Sequence, residues 1–518
     1  PNLPARPGEA FSWHSNTEGY LAGDTLYVMV VVASGNLAAT NFASVAVQGA
    51  LPPWFGKGGG AGVLHVWADA PGDRNGSNWQ HAYLTIEDAV ANYDGSVNEI
   101  WICGDYEPGA TPTFNVTNQL AIRGGFAACE NTPAERPAGT RAKIDAKNTY
   151  NPLNLVNSAA GAVTLERLVL INGKERAITK TGAGDLTILD CHLLTNGVNS
   201  AASGNGKGIN VSSATGAKIV VTDTLFSGNR LVLASAGAFG HGCGAYITGC
   251  AGSVFERCDF IGNGLPLLKA EDGASSGNPQ SSTGSYGLAI YSTVPVTARN
   301  CRFLANFGNI NAGTVRLETG ALGSAFTNCL FAANAERSIW DWGANKATTG
   351  GALMVNLTDA AGKVDVANCT FAYNLADGNG SASGLSVWKG AVTVKNSIFY
   401  GNILGQRSLT RASDLIVKSG ASCSVSYSLF SEDSTNSLAA VAGGILSIGD
   451  GVIYGDPLFV TPSDTVGSLV LTNRANSINY IYFSTASSSY EILEGLNLHL
   501  RGKTGYRDET TGETVVFP

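Results

Sequence analysis

Along residues 363–402 the apolar positions fall on every second residue and then slip by one. Val364 and Val366 alternate with polar neighbours, and after Asn368 the pattern resumes at Cys369 and Phe371. The same happens at Val392 and Val394, then, past Asn396, at Ser397 and Phe399. A period of two predicts strands, and the phase shift at each asparagine predicts a corner between them.

The phrase that follows the corner recurs along half the chain. "NCTFAYN" (368–374) has counterparts in "RCDFIGN" (257–263), "NCRFLAN" (300–306) and "NCLFAAN" (328–334), and, with the cysteine replaced, in "DTLFSGN" (223–229) and "NSIFYGN" (396–402). Each phrase closes a unit that opens with a small-residue turn and runs strand, turn, strand. Residues 242–263, 286–306, 350–374 and 383–402 are the clearest copies; 176–196 and 206–229 are looser, and 413–433 fades. The units are roughly 20–25 residues long, the size of one supersecondary element stacked on its neighbours. Short strands joined by corners at a constant repeat predict an all-β parallel solenoid, with successive coils about 4.8 Å apart.

In such a stack equivalent residues form ladders. Cys191, Cys258, Cys301, Cys329 and Cys369 share one rung position, which Thr224 and Ser397 occupy in other copies. Two places on, Phe226, Phe260, Phe303, Phe331, Phe371 and Phe399 are expected to stack in the core. The closing asparagine suits a turn, where its amide can bond backbone or the next asparagine. Side chains stacked about 4.8 Å apart miss the roughly 3.5–4.5 Å Cβ separation of a disulfide, so the ladder cysteines are expected to be reduced. Cys243 with Cys250, and Cys103 with Cys129, remain disulfide candidates. No CxxC pair is present, so no zinc site is expected, and no other metal or cofactor is called for.

A solenoid needs its ends covered. "LTIEDAVANY" (84–93) has apolar residues at 84, 86, 89, 90 and 93, and Thr85 with Asp88 forms a capping-box-like start, so it is expected to be a helical lid. The chain divides into an N-terminal β-rich segment (1–62), a repeat body (63–460) and C-terminal coils with a cap (461–518). The first segment is an assembly or packing arm, or a strand donor to a neighbour.

Composition supports the array. Of 518 residues 65 are glycine, only 14% are charged and two are methionine, which suits stacked strands and turns better than helices. The formal net charge of −8 comes without a basic cluster, which removes nucleic acid as a partner. The longest apolar run, "TLYVMVVVA" (25–33), is about half the length of a spanning helix and reads as a strand. There is no initiator Met and no signal peptide, so the chain is expected to be a processed or cut product.

The FxxN phrases with Gly-Gly-Ala-Leu (350–353) resemble the short repeats of the polymorphic outer membrane protein family of autotransporter passengers, and more broadly the right-handed parallel β-helix proteins of the pectin-lyase-like superfamily. Residues 65–109 with "LAIRGGF" (120–126) are similar to the start of many exported β-helix proteins, and "GDPLFV" (455–460) and 496–513 to their last segment. The resemblance implies a right-handed β-helix on or outside a bacterial cell surface. It leaves function open, because one fold hosts many activities.

Insertions at 230–241, 264–285, 335–349 and 403–412 all follow a closing asparagine, so one edge of the solenoid is the expected binding surface. In the third, Trp340 and Trp342 flank Asp341, with Glu336, Arg337 and Lys346 near by; this group suits sugar rings or a partner protein, or else simply pins the loop to the solenoid. The Gly-His-Gly at His241 resembles that of polygalacturonases, but the paired aspartates those enzymes need are missing, and His241 is expected to be structural. The leading reading is a non-enzymatic scaffold, adhesin or assembly subunit whose partners are surface proteins, further copies of itself or glycans. A polysaccharide lyase or hydrolase, and a carbohydrate-binding module without turnover, are the alternatives.

Overall fold

The computed structural model describes residues 56–197, 204–230, 241–264, 289–308, 314–336, 350–359, 362–376, 382–404 and 413–459, together with Trp54 and four outlying strands. Within the repeat body every strand pairing is parallel. The antiparallel pairs are Thr25–Ser34 with Leu37–Ala46 and Tyr506–Arg507 with Thr514–Val515.

One coil shows the plan. Its first wall is Leu353–Leu357, its second Lys363–Ala367 and its third Thr370–Ala372. Each pairs with the same wall of the coil on either side, as in Phe331↔Phe371↔Phe399. The third wall stacks twelve strands. In one coil a single strand, Leu385–Lys395, runs through the corner and joins the first wall to the second. This is a parallel β-helix.

The phrase found in the sequence spans the third wall and the corners at both its ends. The residue before the cysteine position turns the chain by taking a left-handed conformation: Asp223 (φ 50°), Arg257 (51°), Asn300 (54°), Asn328 (54°), Asn368 (54°) and Asn396 (48°). Five residues later the chain turns again at Gly228, Gly262, Ala305, Ala333, Tyr373 and Gly401, all with positive φ. Left-handed backbone is disfavoured for residues with a Cβ, so each corner depends on bonds made beside it. Those bonds come from the columns.

At the cysteine position a side-chain donor reaches back to the carbonyl two residues earlier. Cys301 Sγ bonds Arg299 O at 3.3 Å, Cys369 Sγ bonds Ala367 O at 3.3 Å, and Thr224, Ser397 and Ser428 place a hydroxyl in the same bond at 2.8, 2.8 and 2.9 Å. A small side chain with one donor is what the position demands, which explains why Cys, Ser and Thr interchange there. All ten cysteines are free thiols, so neither candidate pair, Cys243 with Cys250 or Cys103 with Cys129, is bridged. Burial pushes the Cys191 and Cys423 thiols up to about 12.

Two places on, Phe226, Phe260, Phe303, Phe331, Phe371, Phe399 and Phe430 stack with ring centroids 4.5–5.0 Å apart and nearly parallel planes. Leu193 holds the position one coil before Phe226. Close approach sets the residue facing these rings: a Cβ on Gly244 would stand 2.4 Å from the Ala289 carbonyl and 2.8 Å from Phe260 Cδ1.

The closing asparagines form the third column. Asn196, Asn229, Asn263, Asn306, Asn334, Asn374 and Asn402 are buried, and each amide but the last donates to the next asparagine's Oδ1 at 2.9–3.0 Å. The second amide hydrogen goes to a carbonyl of the coil before, such as Phe260 O for Asn306 at 2.8 Å. Every Oδ1 past Asn196 also accepts the backbone N–H of the preceding asparagine. A buried polar column is tolerated because all its members are satisfied.

The N-terminal end is closed by the helix Ile86–Ala91. Thr85 caps it, accepting from Asp88 N at 3.1 Å and donating to Asp88 Oδ2 at 2.7 Å, while Ile86 and Ala89 join the solenoid core beside Val66 and Ile100. Beside it, outside the core, Trp79, Trp101 and Phe126 pack around His65. His65 Nδ1 donates to Gly76 O at 3.0 Å, and burial holds its pKa down at about 4.

One inward position of the first wall carries a charge. Lys180 stands in the first wall between Leu155 and Val211, fully buried, its ammonium donating to the carbonyls of Thr181 (3.0 Å) and Gly182 (2.6 Å). Burial pulls its pKa down to about 8.

Candidate functional site

Successive ladder asparagines are separated by 33, 34, 43, 28, 40 and 28 residues. The variation collects between the asparagine and the next first-wall strand, so extra chain leaves and re-enters at one corner. In four coils the asparagine is followed by a two-residue strand, Phe307–Gly308, Ala335–Glu336, Leu375–Ala376 and Ile403–Leu404, paired in parallel. Trp340, Asp341, Trp342, Arg337 and Lys346 lie outside the described residues. Backbone pairing places Glu336 at this corner, opposite Gly308 and Ala376.

Beside that corner runs the outer face of the first wall. Its central column reads Asn210, Tyr246, Tyr291, Arg316, Met354, Ser386 and Ile416. Tyr246 and Tyr291 stack at 5.2 Å with planes 7° apart, and His241 stacks on Tyr291 at 4.6 Å. Arg316 pairs with Glu318, Nε to Oε1 at 2.5 Å, and Asn356 Nδ2 donates to Glu318 Oε2 at 2.8 Å. Burial, then the Arg316 charge, lowers the His241 pKa to about 4; burial, then Glu318, raises the Tyr291 phenol to about 12.

The chemistry follows from this geometry. At neutral pH His241 is an uncharged ring inside an aromatic stack, and its buried Nδ1 makes no hydrogen bond. Tyr246 lies between Asn210 and Tyr291 in the column, so its faces are turned to neighbours and its edge outward. That arrangement braces the corner. Further along, Met354, Ser386 and Ile416 are buried although they point away from the core, and Ala382 packs on Ile416 as a second layer. Among the described residues no group of three His, Cys, Asp or Glu could hold a metal ion.

Sequence reading missed this column. Its signal is the middle residue of three-residue strands, "AYI" (245–247) and "IYS" (290–292), where a tyrosine stands outward between two buried residues.

The chain is a parallel β-helix repeat protein. The family model for a right handed beta helix region matches residues 154–351, which are the coils carrying most of the cysteine, phenylalanine and asparagine columns. No curated protein and no solved structure matches the chain.

Proposed function

We propose that this protein is a non-enzymatic scaffold of a bacterial cell surface or its surroundings, a rod that presents one variable edge to partners. The observation that carries the reading is the division of labour between interior and corner. The interior columns repeat without interruption while the length of each coil varies by as much as 15 residues, from 28 to 43, most of it taken up at one corner. An architecture that holds its core constant and lets one edge change suits recognition more than a single fixed reaction.

The partner is a surface protein, a second copy of the chain or a glycan. The resemblance to autotransporter passengers fits this reading as an adhesin or assembly subunit.

The test is incubation of the purified protein with pectic, algal and host glycans, reading reducing ends and the ultraviolet absorbance of unsaturated uronates, alongside binding to the same glycans. Binding without product supports the scaffold reading. Product release that disappears in a Trp340→Ala, Trp342→Ala double variant overturns it in favour of a polysaccharide lyase or hydrolase.

A further inference from the structure

Just before the first-wall strands three residues stand on one another in successive coils. Arg176 is two residues before Ile178, Lys207 two before Ile209 and Cys243 two before Ala245, and Ile178, Ile209 and Ala245 are register partners. The backbone bonds Ala177 N to Lys207 O and Gly208 N to Cys243 O fix the stack. Two cations are thus vertical neighbours at the variable corner.

Their charges are poorly answered. Lys207 is 1% exposed, and its Nζ is buried without a hydrogen-bond partner. Arg176 Nη2 reaches Glu175 Oε2 at 3.1 Å, but Arg176 Nε is also buried and unpartnered. One carboxylate, itself 41% exposed, faces the buried Lys207 and the half-buried Arg176. Burial lowers the pKa of both, and Arg176 lowers that of Lys207 further. An unpaired buried cation is among the costlier features a fold can keep.

The surroundings leave room for an answer. A Cβ on Gly204 would sit 3.3 Å from Arg176 Nη2 and 3.6 Å from Lys207 Nζ, so the glycine keeps open a point that both nitrogens reach. Gly197 (φ 78°) lets the lysine stem pass: a Cβ there would be 2.6 Å from Lys207 Cδ. Two glycines therefore shape the space around this pair of stacked cations.

We propose that Arg176 and Lys207 form a binding site for a small oxyanion. The anion supplies the missing negative charge and accepts from Lys207 Nζ and from the Arg176 guanidinium, and charge-assisted bonds of this kind are the strong ones. The near-complete burial of Lys207 limits the ligand to one small group, either a free ion or a carboxylate or sulfate carried on a larger molecule. The site stands independently of the scaffold reading, since it concerns ion binding by the purified chain.

The experiment is titration calorimetry and thermal unfolding of the full chain in a chloride buffer of constant ionic strength, with inorganic sulfate, inorganic phosphate, acetate and a monosaccharide sulfate as separate probes. Wild type is expected to show saturable binding of at least one oxyanion, with Tm rising as the site fills. Lys207→Met is expected to weaken that binding at least about tenfold and to raise Tm in chloride alone, because it removes an unpaired buried charge. Arg176→Gln weakens binding in the same way, and Lys218→Met, an exposed lysine, leaves it unchanged. Binding of the monosaccharide sulfate assigns the site to a ligand-borne group; binding of free ions alone assigns it to an ion. Absence of saturable binding by every probe overturns the proposal, as does equal Tm gain in wild type and Lys207→Met, which is the general salting effect of sulfate.

Discussion

Asn402 Nδ2 donates to Asp414 Oδ1 at 2.7 Å, and with that bond the column of asparagines ends on a carboxylate. All the amides point the same way, each NH2 toward the next coil, so the column presents a donor at Asn402 and an acceptor at Asn196, where Gly173 N–H closes it at 2.7 Å. The terminal residue must accept, and Asp414 does so from three groups: Asn402, Ser437 Oγ at 2.5 Å and Ser431 N at 3.2 Å. Burial nevertheless raises its pKa.

Two substitutions separate these effects. Asp414→Leu leaves three buried donors without acceptors and is expected to cost at least about 3 kcal/mol, measured by urea unfolding. Asp414→Asn keeps an acceptor for Asn402 and removes the buried charge but turns an NH2 toward Ser431 N and Ser437 Oγ, and is expected to cost less than Asp414→Leu, about 1–2 kcal/mol. The pH dependence has a definite sign. A carboxyl whose folded pKa is raised binds its proton earlier in the fold than in the unfolded chain, so its contribution to stability grows as pH falls through the folded pKa toward the usual carboxylate range. Asp414→Asn removes that component; an unchanged pH profile would contradict the assignment.

In the middle of the column each amide has four duties. Asn306 Oδ1 accepts from Asn263 N (3.1 Å) and Asn263 Nδ2 (3.0 Å), while its Nδ2 donates to Phe260 O (2.8 Å) and Asn334 Oδ1 (3.0 Å). Asn306→Asp keeps both acceptor roles but turns the two donors into lone pairs facing Phe260 O and Asn334 Oδ1. Both Asn306→Asp and Asn306→Leu are expected to cost about 3 kcal/mol or more, with amide exchange accelerated first at the flanking coils. A change below about 1 kcal/mol would mean the column adds little beyond its backbone bonds.

The fold was legible because a stacked coil writes each column into the sequence once per turn. Phe303, Phe331 and Phe371 recur at the same offset from Asn306, Asn334 and Asn374 since one wall residue and one corner residue separate the two columns, and insertions fall outside that span. Single departures were not legible. Lys180 sits at an inward position of "ITKT" (178–181), and alternation alone cannot distinguish a lysine whose head finds two carbonyls from one that faces water. Arg176 and Lys207 lie in the same column although 31 positions separate them in the chain, and the variable length of the corner hid the alignment. The end of the asparagine column was missed for a related reason: Asp414 opens the next coil and is not the last residue of a phrase.

The cysteine column yields a chemical test. Cys301 Sγ lies within 3.4 Å of Phe255 O and 3.3 Å of Arg299 O, and Ser397 and Ser428 fill the same role elsewhere. Cys301→Ser is therefore expected to cost less than about 1.5 kcal/mol, whereas Cys301→Phe, which overpacks a closed core, costs about 1–3 kcal/mol or more. Native protein is expected to leave the ladder thiols unreacted with a thiol-specific disulfide reagent, and urea-unfolded protein to titrate all ten cysteines without prior reduction. Fewer than ten after unfolding would reveal a bridge.

Lys180 gives the alkaline limb of stability. Its folded pKa of about 8 lies below the 10.5 of an unfolded lysine, so between those values the unfolded chain holds a proton that the fold has released. Stability contributed by this group is present above pH 10.5, falls as pH drops through 8, and is absent below it. The two carbonyl bonds to Thr181 and Gly182 soften the penalty without supplying a counter-charge, and the change across the window is expected to be about 3 kcal/mol. Lys180→Met keeps the length of the stem among Leu155 and Val211 and has nothing to titrate. It is expected to be at least as stable as wild type at pH 7 and to lack the rise in stability above pH 8, as read from urea unfolding at stepped pH. Should the variant keep the full rise, the buried ammonium is not its source.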